Sequence, residues 1–285
     1  MMSISTQDSM AVGPSEWTRP AAEAHTSENS PRRLVSHTWV LSGRLLRRWG
    51  RDRATVLESL ILPVVLLATL NLVFGESISQ VTGHSALYNS VPLMAMVGAM
   101  SGAMVGGISL MRERADGMLS RLWVLPVHRA SGLLSKLVAE AVRIVVTTAV
   151  VLCAGLLLGF RFHQGIVESV AWLFIPLFFG LAFSMVVMTL ALYSVNTIVV
   201  EATEIIWGLL MFFSIGFIPL DQYPRWVQPV VEHQPVSYAI ETMRGLSLDG
   251  PVRSPLVGLL LWSAAIAVAC AIPIAVGYRK ASMRG

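Results

Sequence analysis

The uncharged run Val91–Met111, VPLMAMVGAMSGAMVGGISLM, decides how this chain folds. It is about as long as an α-helix must be to cross roughly 30 Å of hydrocarbon. Similar runs occur at Ser59–Phe74, Ile144–Phe160, Ser169–Asn196, Ile205–Leu220 and Pro255–Tyr278. The sequence therefore predicts an all-α membrane protein with six transmembrane helices.

The composition agrees with this fold class. Hydrophobic residues make up 54% of the chain and charged residues 13%, whereas about a quarter of a soluble domain is charged. The polar residues 1–33 are predicted to form a disordered cytoplasmic tail. An amphipathic segment (34–53) and a six-span permease domain (54–285) are predicted to follow.

Lysine and arginine indicate which side of the membrane each loop occupies, because positive loops are retained in the cytoplasm. Of the 21 such residues, 17 lie before run one, between runs two and three, or after run six. Both termini are therefore expected in the cytoplasm, in a multi-pass plasma-membrane protein. The net charge of +4 is explained by insertion and anionic lipid, so no nucleic-acid partner is expected.

An amphipathic helix is predicted just before the first run. At 100° per residue its apolar side chains share one arc: Leu34, Val35, Trp39, Leu41, Leu45, Leu46 and Trp49. The opposite side carries Arg44, Arg47, Arg48 and Arg51. Such a helix is expected to lie in the cytoplasmic interface. It could serve as an anchor for span one or help to dock a partner.

The second run, Val91–Met111, contains three glycines at every fourth position, Gly98, Gly102 and Gly106. They form a smooth stripe that allows close helix packing. The stripe faces either a neighbour within the bundle or a subunit interface, and the sequence leaves both open.

Directly after that run comes RERADGMLSRLWVLPVHR, Arg112–Arg129. Helical projection places Ala115, Met118, Leu119 and Leu122 on one face, and Pro126 stops the helix. We predict a short amphipathic cytoplasmic helix between spans two and three. Periodicity alone leaves open whether it is an interfacial loop or binds a second protein.

On the outer side, the segment between Pro219 and Pro255 is too interrupted by proline to span the membrane and too apolar for an ordinary loop. We predict two short helices that dip back into the outer leaflet before the last span.

The sequence shows neither a nucleotide-binding motif nor an ion-coupling residue that could drive transport. It lacks the Gly-x-x-x-x-Gly-Lys-Ser/Thr motif that cradles nucleotide phosphates. An ion-driven carrier would need a titratable residue near mid-membrane, and none of the six runs contains one. Glu140 and Arg143 are expected at the cytoplasmic end of span three, and Glu201 before span five. No catalytic residue, metal ligand or bound cofactor is predicted, so the chain is not expected to be an enzyme.

Two motifs resemble those of ABC type-2 exporter permeases of the daunorubicin-resistance type. The first is the Arg112–Arg129 segment, with its Arg-Glu-Arg start, its glycine four residues after the glutamate, and its Pro-Val end. The second is HQPVSYAIETMRGLSLDG, His233–Gly250, which is similar to the family's Pro-Val-x-Tyr and Arg-Gly-Leu segment. With the six-span layout, the resemblance covers residues 34–285.

The resemblance implies a transporter subunit that exports a hydrophobic lipid or drug, of phthiocerol-lipid or daunorubicin type. Its partners would be a separate ABC ATPase dimer that binds ATP and Mg, a sibling or identical second permease, membrane lipid and the hydrophobic substrate. A non-transporting scaffold and an ion-coupled carrier are the alternatives.

The resemblance also assigns roles to residues. The segment Arg112–Pro126 would be the coupling helix that contacts the ATPase, and the preceding amphipathic helix would flank that contact. Coupling candidates are Arg112, Glu113, Arg114, Gly117, Arg121, Leu122 and Pro126, and Glu113 is the favoured candidate for an ion pair across the subunit boundary. The re-entrant helices would form an outer gate containing Trp226, Pro235, Tyr238, Arg244 and Gly245.

Overall fold

The computed structural model describes residues 31–82, 85–117, 130–194 and 196–283. Within these ranges the chain forms helices, turns and loops, and no strand. Residues 1–30 of the predicted tail lie outside the described residues.

The described part of the chain contains helices of very different length. They are α1 (Pro31–Arg51), α2 (Arg53–Val56), α3 (Leu62–Thr82), α4 (Leu87–Ala115), α5 (Ser131–Leu158), α6 (Ile166–Tyr193), α7 (Thr197–Phe212), α8 (Gln228–His233), α9 (Pro235–Leu248) and α10 (Arg253–Met283). A π-helical turn, Leu57–Ile61, joins α2 to α3, and a 3-10 helix, Leu220–Gln222, precedes α8.

Five segments are long and apolar enough to cross a membrane: Arg53–Val73, Leu87–Ala115, Ser131–Leu158, Ile166–Tyr193 and Arg253–Lys280. The predicted all-α membrane fold is confirmed. The count of six spans stays a prediction, because α7 has 16 residues. Its length is about 24 Å at 1.5 Å per residue, less than the roughly 30 Å of a hydrocarbon core.

The predicted bounds of the fifth run, Ile205–Leu220, are wrong. The helix begins at Thr197 and ends at Phe212, and turns around Ser214 follow it. Glu201 therefore lies inside α7 and is exposed, rather than preceding the span. An uncharged run does not show where a helix starts, because an exposed charged side chain in the first turns is compatible with helical backbone.

Helix α5, which corresponds to predicted span three, also begins earlier than the uncharged run. It starts at Ser131, whereas the uncharged run starts at Ile144. Glu140 and Arg143 are consequently part of α5 and are buried within the bundle. Their expected position at the cytoplasmic entry of span three stays a prediction, because α5 has 28 residues, about 42 Å, and is longer than a hydrocarbon core.

The bundle is organised around α4, which packs against α3, α5, α6, α7 and α9. In its most apolar 18-residue window 67% of the residues are buried, compared with 17% in α10. Glycines and alanines make α4 narrow, so several neighbours approach its backbone closely. Leu93, Met96 and Met100 fill the core around it.

Different elements meet at the two ends of the bundle. At the end that we call the basic end, the last turn of α4, the first turns of α5 and the end of α6 meet. Helix α1 packs against α5 and reaches this end with Arg48. At the opposite end, the start of α4 contacts the α5–α6 loop, where Tyr88 donates a hydrogen bond to the Arg161 carbonyl oxygen (3.1 Å).

The elements predicted around the bundle are present as helices. Helix α1 occupies the position of the amphipathic segment, and its Trp39 is 72% exposed. Two short helices, α8 and α9, precede the last long helix. The location of α1 in the membrane interface and the depth of α8 and α9 in the outer leaflet stay predictions.

Candidate functional site

The last turn of α4 carries the first three residues of the predicted coupling segment. The helix ends at Ala115, and the Asp116 amide donates to the Arg112 carbonyl oxygen (2.9 Å). Gly117 has a φ of 66°, the left-handed conformation that favours glycine just after a helix. Arg112, Glu113 and Arg114 therefore belong to α4, and the prediction that a separate helix starts at Arg112 is wrong.

The rest of the predicted coupling segment, residues 118–129, lies outside the described residues. This range includes Arg121, Leu122 and Pro126. Their assignment to an ATPase contact stays a prediction.

Glu113 forms an ion pair within this chain. Its Oε2 accepts from Nζ of Lys136 at 2.6 Å, and the two side chains are 11% and 10% exposed. The pair joins the end of α4 to the start of α5. The resemblance implied that Glu113 forms an ion pair with a partner subunit. In the structure Glu113 is instead paired with Lys136 of the same chain, because α5 begins early enough to include Lys136.

Arg114 joins α4 to α6. Its Nη1 donates to the carbonyl oxygens of Leu192 (2.8 Å) and Ser194 (3.0 Å). Carbonyl groups at a helix C-terminus lack partners within the helix and carry the negative end of its dipole. Arg114 thus caps α6 and helps to fix the start of the connection to α7. Arg112, two residues earlier, is exposed.

A buried ion pair lies deeper in the bundle. Nη2 of Arg143 donates both to Glu140 Oε2 and to the Gly102 carbonyl oxygen. Glu140 is 4% exposed and Arg143 8% exposed. Glu140 lies nine residues into α5, about 14 Å along the helix axis. Sequence analysis missed this pair, although a Glu and an Arg three residues apart on one helix face was the available signal.

The glycine stripe of α4 faces α5. A Cβ at Gly98 would lie 2.5 Å from Cγ2 of Thr147, and one at Gly102 would lie 2.7 Å from Cζ of Arg143. At Gly106 the nearest atom would be 3.7 Å away, which is ordinary contact. Two of the three glycines thus leave room for side chains within the same bundle, and Gly102 leaves room for the guanidinium group.

The residues predicted on the interfacial helix fall into two groups. Arg48 lines a cleft of about 300 Å³ between α1, α4 and α5, and Arg44 lines a smaller neighbouring cleft with Glu113. Trp39 and Arg47 are exposed on other parts of α1.

Tyr238 and Pro235 of the predicted outer gate lie on α9. Pro235 is buried at the start of the helix. The Tyr238 ring covers Gly258 of α10, where an added Cβ would lie 2.7 Å from Cζ of the tyrosine. Trp226 stands apart from them on the surface and is 82% exposed.

The last two predicted gate residues lie near the end of α9. Arg244 and Gly245 line a cavity of about 360 Å³ at the opposite end, together with Asn89 and Glu241. The Gly245 carbonyl oxygen accepts a hydrogen bond from Nε2 of Gln164 (3.0 Å). The end of α9 is thereby tied to the α5–α6 loop.

No group of three or more His, Cys, Asp or Glu side chains within the described ranges is arranged to hold a metal ion.

A helical bundle of membrane-spanning length, with charged side chains linking its helices at one end, defines an integral membrane protein. Residues 36–248 match the ABC-2 type transporter family, and the chain belongs to that family. The predicted family resemblance is confirmed.

Two relatives give the family match more detail. The chain is 50% identical over 256 residues to the "probable doxorubicin resistance ABC transporter permease protein DrrC" of Mycobacterium tuberculosis, covering 90% of this chain and 93% of the relative. It is 25% identical over 241 residues to the daunorubicin resistance ABC transporter permease protein DrrB1 of Streptomyces coeruleorubidus, covering 84% and 83%. The chain is therefore a multi-pass membrane permease of a drug-resistance type, and such a permease works with an ABC ATPase.

Proposed function

We propose that this permease exports a hydrophobic drug or lipid outward across the plasma membrane, driven by ATP hydrolysis on a separate ATPase subunit. One observation carries the proposal: the segment between Gly117 and Ala130 is flanked by contacts that join three long helices. Glu113 and Lys136 connect α4 to α5, and Arg114 connects α4 to α6.

These contacts give a path for force. A load applied to the segment by a partner would reach α4, α5 and α6 together, because their ends are bonded to one another at the basic end. A bundle loaded in this way tilts as a rigid body rather than bending one helix. In this proposal an ATPase dimer, with ATP and Mg bound to it, presses on the segment from the cytoplasm.

The remaining parts of the proposal follow from the charge distribution and the relatives. Both termini lie in the cytoplasm under the positive-inside rule, and a second permease, identical or sibling, completes the pathway. The relatives are described by resistance to doxorubicin and daunorubicin, which supports an aromatic, hydrophobic cargo. A long-chain lipid of phthiocerol type is the other candidate cargo.

One observation favours a second candidate, an ion-coupled carrier. Glu140 is a buried carboxylate inside a membrane-spanning helix, and such residues often serve proton pathways. Glu140 is paired with Arg143, however, and the same guanidinium group bonds to the Gly102 carbonyl oxygen, which supports a structural role.

The test is reconstitution of the permease with its co-purified ATPase in liposomes. We expect stoichiometric co-purification of an ATPase and ATP-dependent movement of doxorubicin or of a labelled long-chain lipid. Replacing Lys136 by Met together with Arg114 by Gln should leave the ATPase bound and reduce transport at least tenfold. The matched control is Arg279→Gln, an exposed cation near the end of α10. Transport by the permease alone under a proton gradient would contradict the proposal.

A further inference from the structure

The cleft between α1, α4 and α5 lies beside the coupling contacts proposed above and shares Lys136 with them. Its volume of about 300 Å³ is at the lower limit for small-molecule sites, which range from about 300 to 1,000 Å³. The cleft therefore has room for the polar group of an amphiphile but not for a lipid with its chains.

The charges that line the cleft favour an anion. Four cations line it, Arg48, Arg112, Lys136 and Arg143, together with the carboxylates Asp52 and Glu140. Arg143 is paired with Glu140, and Lys136 with Glu113, which lies outside the lining. Arg48 and Arg112 are exposed and are opposed by Asp52 alone, so the cleft keeps a net positive charge.

Three buried polar atoms on the lining residues lack a partner within the described part of the chain. Trp49 Nε1 and Arg143 Nε are donors, and Glu140 Oε1 is an acceptor. Buried polar groups in proteins are nearly always hydrogen-bonded. These atoms lie below the surface of the cleft, so a ligand with several acceptors and a donor satisfies them after a small movement of the three side chains.

Much of the remaining wall is apolar. Its apolar side chains are Leu45 and Leu46 of α1, Val105 and Ile108 of α4, Ala139 of α5 and Met188 of α6, and the hydroxyl residues Thr55 and Ser109 lie among them. Apolar walls beside a cationic rim suit a molecule whose charged end is attached to a hydrocarbon body.

We propose that the cleft binds the headgroup of one anionic membrane phospholipid that carries hydroxyl groups, of the phosphatidylglycerol type. The phosphodiester lies between Arg48 and Arg112, and its oxygens accept hydrogen bonds from the cationic and indole donors. A headgroup hydroxyl donates toward Glu140. Because Arg48 and Trp49 belong to α1 and Glu140 to α5, the bound lipid holds α1 against the bundle.

Native mass spectrometry of the full-length permease, released from bilayers of equal phosphatidylglycerol and phosphatidylcholine, tests this proposal without any ATPase. We expect one phosphatidylglycerol retained per chain. The double variant Arg48→Gln, Arg112→Gln should bind it roughly tenfold more weakly, since each cation near a membrane surface contributes to anionic-lipid binding. Trp49→Phe, which removes only the indole donor, should weaken retention by a smaller factor.

Arg47→Gln is the matched control, because Arg47 is an exposed arginine on the same helix outside the cleft lining. This variant should retain phosphatidylglycerol like the unchanged protein. Equal retention of phosphatidylcholine, or equal loss in Arg47→Gln and in the double variant, would overturn the proposal. Glycerol phosphate without acyl chains should displace the lipid poorly, and displacement at comparable concentrations would overturn the assignment to a membrane lipid. These outcomes leave the transport proposal unaffected, since they do not involve ATP or cargo.

Discussion

Arg143 on α5 donates a hydrogen bond to the main-chain carbonyl of Gly102 on α4, at a place where only glycine leaves room for the guanidinium group. The same guanidinium pairs with Glu140 one turn away. A charged side chain is thus held between the two helices, where unpaired it would be costly in a membrane. The stripe of glycines and the buried ion pair are parts of one packing arrangement.

The first prediction concerns this packing. A methyl group at position 102 would overlap the Arg143 side chain, whereas one at position 106 would meet its nearest neighbour at 3.7 Å. Gly102→Ala should therefore destabilise the protein by about 1–3 kcal/mol, the usual cost of overpacking, and Gly106→Ala by much less. Thermal unfolding in detergent measures both. Equal melting temperatures for the two variants would show that Arg143 moves aside at no cost.

The second prediction concerns the ion pair itself. Removing one partner leaves a buried charge without compensation, so Glu140→Gln or Arg143→Met should each cost about 3–5 kcal/mol. The double variant Glu140→Gln, Arg143→Met removes both charges and should recover much of that loss. A double-mutant cycle on unfolding in denaturant measures the coupling. Additive effects of the two single variants would argue that the charges do not interact.

The sequence predicts the membrane fold correctly because uncharged runs of this length have few alternatives. It misplaces the starts of α5 and α7, because hydropathy counts each charge as a boundary. Glu140 is buried inside α5 beside Arg143, which compensates its charge, and Arg143 fits there because position 102 on α4 is glycine. Such compensation depends on tertiary contacts that periodicity does not contain.

The helix end and the charged contacts of the coupling segment were also not predicted from the sequence. Helical projection treated Arg112–Leu122 as one unit, but Gly117 adopts a left-handed conformation and ends the helix near Ala115. The partner of Glu113 is Lys136, 23 residues further along the chain. The motif that identifies the family was therefore recognised correctly, while the contacts of its charged residues were not accessible from sequence.

The third prediction concerns the cap that Arg114 forms on α6. Arg114→Gln should remove both hydrogen bonds to the Leu192 and Ser194 carbonyls and allow the last turn of α6 to fray. Hydrogen bonds from charged groups contribute about 1.5–3 kcal/mol, so amides in that turn should exchange at least tenfold faster with deuterium. Arg112→Gln, an exposed arginine on the same turn of α4, is the control and should leave the exchange unchanged. Identical exchange in both variants would exclude a capping role.

The fourth prediction concerns the start of α2. Asp52 Oδ2 accepts from Thr55 Oγ1 (2.8 Å), and Asp52 Oδ1 from the Thr55 amide (3.3 Å). Hydrogen bonds from the Thr55 side chain and then its amide lower the pKa of Asp52 below its usual value of 3.8. A lowered pKa means that the cap stabilises the helix fully above the pKa of the unfolded chain and loses this effect as the pH falls through the lowered value.

Amide exchange at Thr55 and Val56 measures this cap. Protection at neutral pH should decrease from the unchanged protein to Asp52→Asn, which keeps a capping oxygen without the charge, and again to Asp52→Ala. As the pH falls below the lowered pKa, the unchanged protein should approach Asp52→Asn. A protection that does not depend on residue 52 at either pH would contradict the prediction.

The fifth prediction separates a functional role of the outer segment from a structural one. Trp226 is 82% exposed, so Trp226→Ala should change the free energy of unfolding by no more than about 0.5 kcal/mol. If this side chain guides a hydrophobic cargo out of the pathway, export should nevertheless fall, because an aromatic surface is lost at the exit. Val230→Ala is the control, since Val230 is an exposed apolar residue in the same segment (69%).

Tyr238→Phe keeps the ring over Gly258 and should preserve stability, whereas Tyr238→Ala opens a void there and should lower the melting temperature. Transport in liposomes and thermal unfolding are measured on the same preparations, and normal export in both Trp226→Ala and Tyr238→Ala would exclude an outer gate at this place.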